Sequence, residues 1–135
     1  MAPSLNGFDH IHVHVTDRAA SEQWYGRVLG LSRVPELAAW ASGGGPLTLS
    51  DASGKVHLAL FQSSAQASRS TIALGVSASE FLAWRKHLEA ELARPIQVED
   101  HQLAWSLYFS DPDGNPYEIT TYEHAAVKNI LAEGA

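Results

Sequence analysis

Three histidines at alternate positions, His10, His12 and His14, stand near the start of the chain, and a lone glutamate, Glu118, stands in its last apolar run. Successive side chains of a strand point to opposite faces, so the three imidazoles share one face with Phe8, while Ile11, Val13 and Val15 share the other. Imidazole ligates divalent transition metals and changes charge near neutral pH, which makes such a face ligand-rich. Glu118 lies in the run Tyr117–Tyr122, where it shares a face with Thr120 and Tyr122. A carboxylate in the middle of an otherwise apolar strand is not buried without a partner. A metal ion, an arginine or exposure to solvent would each supply one. The other histidines are His57, His87, His101 and His124, and the absence of cysteine removes disulfides and thiolate metal sites.

The surrounding pattern says what must position these groups. Asp111-Pro-Asp-Gly-Asn-Pro116 is a dense turn signal between two strands rich in Tyr, Phe, Ile and Thr. After the first strand, Asp17 is placed to cap a helix whose buried stripe is Trp24, Tyr25, Val28 and Leu29 and which Gly30 stops. Residues 32–49 read as two weaker strands about the turn Ser42-Gly-Gly-Gly-Pro46. A second turn, Ser50–Gly54, leads into the strand Val56–Phe61, with Val56, Leu58 and Leu60 on its aliphatic face and His57, Ala59 and Phe61 on the other. Residues 62–70 are small and polar and read as a linker.

Beyond it the pattern repeats. Thr71–Val76 reads as a strand, and Ser77 with Glu80 forms a capping box opening a helix with Phe81, Trp84, Leu88 and Leu92 on one stripe, ended by Pro95. Strands follow near Ile96–Glu99, Leu103–Phe109 and Tyr117–Tyr122, with a short helix from about Glu123. The expected fold is α+β: two βαβββ modules forming a cupped mixed sheet with helices on the outer face. At 135 residues we expect a single domain, with module one over 7–61, the linker 62–70, module two over 71–122 and a terminal helix over 123–133. Each helix covers the aliphatic face of its sheet, and the opposite face lines a cleft. Trp24, Trp84 and Phe81 are assigned to the core, whereas Trp40 and Trp105 fall on ambiguous faces.

A net charge of −6 argues against nucleic acid and anionic membranes as partners. The opening residues lack the regions of a signal peptide and no apolar run has transmembrane length, which with the lack of cysteine fits a cytoplasmic protein.

The repeated units, the opening Asp9–Asp17 and the closing Ser106–Glu118 together resemble the vicinal oxygen chelate superfamily, which includes glyoxalase I, extradiol dioxygenases, fosfomycin-resistance proteins and bleomycin-resistance proteins. The likeness runs over about residues 7–123. It implies that His10 and Glu118 are metal ligands. The middle ligand, His in many members, falls at Thr71 or Ser70, a departure, since neutral hydroxyls are poor ligands beside imidazole. The place of a fourth ligand, on the last strand of module one, is at or within one residue of His57, so a set of His10, His57 and Glu118 is implied. That composition suits Fe, Mn, Ni or Zn with open positions. Tyr108, ten residues before Glu118, and His101 match a tyrosine and an acid–base histidine of the extradiol dioxygenases. His12, Thr71 and Thr120, on the cleft faces, are assigned to substrate contact, His14 to structure, and His87 and His124 to nothing.

Two functions follow as expectations. One is a divalent-metal-dependent enzyme of the glyoxalase or dioxygenase type, acting on a small molecule with vicinal oxygens, with a dioxygenase or a lyase/isomerase reaction. The other is a metal-free, ligand-sequestering protein like the bleomycin-resistance proteins, for which Thr71 and the negative charge would speak. The inward histidines favour the enzyme. The resemblance further implies a homodimer, because relatives of this size complete their cleft by pairing modules across subunits.

Overall fold

The computed structural model describes residues 1–64 and 67–134; Ala65 and Gln66, inside the predicted linker, and Ala135 lie outside the described residues. The chain divides into two units, residues 1–67 and 68–135.

In the first unit, β1 (Ile11–Val15) buries Val13 and Val15 and leaves His12 and His14 exposed, as the alternation predicts. The Asp17 side chain accepts a hydrogen bond from the Ala20 N–H at 3.1 Å and so caps α1 (Arg18–Leu29). Gly30 closes the helix in the left-handed region at φ 70°, which costs glycine nothing. Trp24, Tyr25, Val28 and Leu29 are buried.

The next stretch departs from the two expected strands. Only β2 (Ser32–Arg33) and β3 (Leu47–Ser50) are extended; between them run a 3-10 turn, Pro35–Leu37, and the short helix α2 (Ala39–Ser42). Proline fits the first position of a helical turn, where no N–H is needed, and the alanines of 38–41 favour helix over strand. β4 (His57–Gln62) then pairs parallel to β1 and antiparallel to β3, giving the order β1-β4-β3-β2.

The second unit repeats this arrangement. β5 (Ile72–Gly75) leads through the Ser77–Glu80 capping box into α3 (Ala78–Leu92). β6 (Val98–Asp100), β7 (Trp105–Ser110) and β8 (Pro116–Thr121) complete a sheet of order β5-β8-β7-β6, and α4 (His124–Glu133) follows. Phe81 and Leu88 of α3 are fully buried, as are Leu107 and Ile119 of the sheet, while Trp84 is only half-buried. Each such aliphatic side chain contributes about 1.5–3 kcal/mol through burial. No helix among the described residues is long and apolar enough to cross a membrane.

The two sheets share a register. Ile11 stands opposite Leu58 and His12 opposite Ala59; in the second unit Ile72 stands opposite Tyr117 and Ala73 opposite Glu118. The hairpin turns correspond as well. The carboxylate of Asp51 accepts from the N–H groups of Lys55 and Val56, and that of Asp111 from those of Asp113 and Asn115. Strand order, hydrogen bonding and burial thus describe the same βαβββ unit twice, in an α+β fold.

Candidate functional site

In the first unit the polar sheet face is built on β1 and β4. His10 precedes β1; its Nδ1 lies 2.7 Å from a carboxylate oxygen of Asp9 and its Nε2 lies 3.1 Å from Nε2 of His12. The two rings stack with centroids 5.0 Å apart. Farther along the face, Phe61 meets His12 at 4.7 Å and His14 at 5.6 Å between ring centroids. The hydrogen bond from His10 holds the exposed Asp9 carboxyl below its ordinary range.

His10 and His57 come together at a cavity of about 180 Å³ lined also by Asp9, Thr48, Ala59, Leu37, Trp40 and Pro46. The lining is therefore part polar and part apolar. Trp40, ambiguous from the sequence, is a wall of this cavity. Its position is held from two sides. The Arg18 guanidinium donates to the carbonyls of Ala41 at 3.0 Å and Gly45 at 2.8 Å, and the Trp40 carbonyl accepts from the N–H groups of Gly43 and Gly45.

In the second unit the polar face is built on β5, β7 and β8. The Ser106 hydroxyl, fully buried, donates to Oε2 of Glu118 at 2.6 Å. Thr120 lies 3.2 Å from the same hydroxyl and donates to the Trp105 carbonyl at 3.1 Å. Tyr108 is the cross-strand neighbour of Glu118, and its hydroxyl lies 3.0 Å from Nε2 of His101. Glu118, Thr120, Ser106, Tyr108 and Ala73 thus share one face, and Thr71, exposed, immediately precedes β5 as His10 precedes β1.

The register revises the place of His57. The residue that matches Glu118 in the first unit is Ala59, and His57 lies two residues before it, one full pleat away, where the hairpin of the second unit has Pro116. The hairpin turn of the first unit is one residue longer, Asp51 to Val56 against Asp111 to Asn115, and counting along the chain blurs that offset.

Three residues of the arrangement carry no isolated sequence signal. Asp9 and Ser106 acquire their roles only from the partners they touch. His124, assigned nothing, binds Asp100 through Nε2 at 2.7 Å and stacks on Trp105 at 4.9 Å, while the Trp105 indole N–H donates to the His124 carbonyl. Trp105 is therefore tied to α4 rather than to the polar face. His87, also assigned nothing, meets the Trp84 ring edge-on at 5.4 Å between centroids.

His10 and Glu118, each within its own unit, have the surroundings of a metal ligand. A ligating histidine ordinarily gives its second ring N–H to a carboxylate, as His10 gives Nδ1–H to Asp9, and a ligating carboxylate is ordinarily hydrogen-bonded, as Glu118 is by Ser106. Thr71 brings only a hydroxyl. Among the described residues no group of three or more His, Asp or Glu side chains is assembled around one point.

Comparison with known proteins agrees with the topology. No curated protein matches the sequence. Among solved structures, an integron cassette protein from the mobile metagenome of a Halifax Harbour sewage outfall is 23% identical, with a TM-score of 0.68 over 87% of this chain and 99% of its own. A glyoxalase/dioxygenase from Nostoc punctiforme is 22% identical, with a TM-score of 0.67 over 90% and 95% of the two chains. The fosfomycin resistance protein FosX from Listeria monocytogenes, solved with Mn(II) and sulfate, is 12% identical, with a TM-score of 0.63 over 95% and 99%. At these identities the likeness is one of fold. The sequence itself matches a family profile over residues 7–119, and the chain belongs to the Glyoxalase/Bleomycin resistance protein/Dioxygenase superfamily, the vicinal oxygen chelate group.

Proposed function

We propose that this protein is a divalent-metal-dependent enzyme of the glyoxalase or dioxygenase type whose substrate is a small molecule with adjacent oxygens. The observation that carries the reading is the Asp9–His10 pair, in which Nδ1–H is engaged by a carboxylate and Nε2 is left to present a lone pair. His10 and Glu118 would hold the cation, which when bound supplies Lewis acidity toward the substrate oxygens. The FosX structures, solved with Mn(II), lend this support from within the fold.

The chain's own residues divide the remaining work. The apolar wall of Trp40, Leu37 and Pro46 would seat the body of the substrate, with His57 and Thr48 in the polar part of the same lining. The hydrogen-bonded pair His101–Tyr108 would take and return a proton, since imidazole exchanges protons near neutral pH and the phenol hydroxyl can relay them. Thr120 and Thr71 would contribute hydroxyls to substrate contact. We assign the protein to the cytoplasm and to a homodimer; a solution mass of 14.6 kDa by light scattering would overturn the dimer.

A second reading, a metal-free protein that sequesters its ligand, is favoured by one observation, the hydroxyl of Thr71 at the position that matches His10. Metal content of the purified protein and of Glu118→Ala separates the two. One transition metal per chain, lost in the variant, supports the enzyme. No uptake of Mn, Fe, Ni or Zn by the wild-type protein sinks it and leaves the sequestering reading.

A further inference from the structure

We propose that His12 is a metal ligand, and that His10 and His12 grip one divalent cation as a two-imidazole clamp carried by a single stretch of chain. The inference rests on the metal-dependent reading above and deepens it. From sequence, His12 is a substrate contact, and nothing in the family comparison assigns it more.

The geometry points to the clamp in three ways. First, the two Nε2 atoms already converge at 3.1 Å. Two nitrogens each about 2.1 Å from one Zn(II) stand about 3.0 Å apart at a right angle and about 3.4 Å apart at the tetrahedral angle. The observed separation falls between these values, the span two nitrogens take on one cation. Second, both rings are held. The Asp9 carboxylate, at 2.7 Å, takes Nδ1–H of His10 and so fixes the tautomer whose lone pair is at Nε2. Phe61 lies against the His12 ring at 4.7 Å and limits its rotation. Third, the pair is accessible: both residues are exposed, which leaves open positions for a carboxylate and for substrate.

Without a cation the same contact is satisfied as a hydrogen bond, with Nε2–H of His12 donating to Nε2 of His10. Metal binding replaces that bond. The His12 proton moves to its own Nδ1, and both rings remain neutral. The clamp also accounts for Thr71. A second imidazole two residues from the first makes a nitrogen ligand from the second unit unnecessary, and Thr71 can carry a hydroxyl without loss of the site.

The test is Zn(II) titration of the chelator-treated, dialysed full chain by calorimetry, for the wild type, His12→Gln, His12→Asn and His87→Gln, with X-ray absorption on the zinc-loaded proteins. His12 is exposed and both replacements keep a polar side chain, and melting curves confirm that each variant is folded. Loss of a ligand should weaken Zn(II) by more than about 100-fold in both His12 variants, beyond the 10–100-fold of an outer partner, whereas His87→Gln should change it by less than about threefold. Absorption should count two imidazoles per zinc in the wild type and His87→Gln, and one in the His12 variants. Wild-type affinity in His12→Gln, or two imidazoles retained in it, would overturn the clamp and leave the metal reading standing. A wild-type protein that binds no Zn(II) would instead overturn the metal reading and the clamp with it.

Discussion

The hydroxyl of Ser106 donates to Oε2 of Glu118 at 2.6 Å from a position with no solvent exposure. The two residues lie on adjacent antiparallel strands, offset diagonally, because Ser106 pairs with Thr120 and Tyr108 pairs with Glu118. One carboxylate oxygen is therefore tethered to the sheet. A tethered carboxylate loses less side-chain freedom on binding a cation than a free one does.

The first prediction follows. Ser106→Ala removes the tether without adding bulk, and it should weaken divalent-metal binding by about 10–100-fold, the usual cost of losing an outer partner of a ligand. Calorimetric titration with Mn(II) measures it. An unchanged affinity would mean that the Ser106 bond is structural only.

Gly45 carries the second prediction. A methyl group there would stand 2.8 Å from the Trp40 carbonyl oxygen, which already accepts the Gly45 N–H at 2.8 Å. Backbone must move to admit it, so Gly45→Ala should cost about 1–3 kcal/mol as an overpacked contact and shift the Trp40 wall of the cavity. Urea denaturation gives the first quantity, and quenching of Trp40 fluorescence, assigned by a Trp40→Phe control, reports the second. Wild-type stability together with wild-type quenching would show that the turn yields freely.

The third concerns acid. The His124 side chain, and after it the Gln102 N–H, hold the exposed Asp100 carboxyl below its ordinary value of 3.8. A carboxyl with a depressed native pKa stabilises the fold above its unfolded value and loses that contribution as pH falls through the native one. Docking of α4 on the β6–β7 hairpin should therefore weaken at acid pH. Melting temperature followed from about pH 6 to about pH 3 should fall more steeply in the wild type than in Asp100→Asn, which has no such group to titrate. Parallel curves would sink the argument.

Much of this architecture was legible because local signals agreed with one another. The alternation of 8–15, the Asp17 cap and the Ser77–Glu80 box each specify a single local structure, and the structure has all three. Residues 35–42 misled because Pro35 and a run of alanines carry no clear period, and helical propensity decided the outcome. The faces of Glu118, Tyr108 and Thr120 follow from strand parity alone. What parity cannot give is offset: His57 shares the face of Ala59 but lies one pleat before it, because the extra residue lies in the turn. Partnerships between distant residues, such as Asp100 with His124, leave no periodic trace at all.

The last prediction uses that register directly. Ile11 opposite Leu58 matches Ile72 opposite Tyr117, so Thr71 occupies in the second unit the place that His10 occupies in the first. If the proposed metal reading holds, Thr71 is the position where an imidazole is missing. It is exposed, so a larger ring meets no packed core there. Thr71→His should then bind Mn(II) or Zn(II) more tightly than the wild type, by about tenfold or more, since one good additional ligand is worth at least ~1.4 kcal/mol. The gain should vanish in the double variant with Glu118→Ala if both residues serve one cation, because neighbouring ligands do not act additively. A gain that persists in the double variant would place the new imidazole at a different metal, and no gain would show that Thr71 lies outside the coordination sphere.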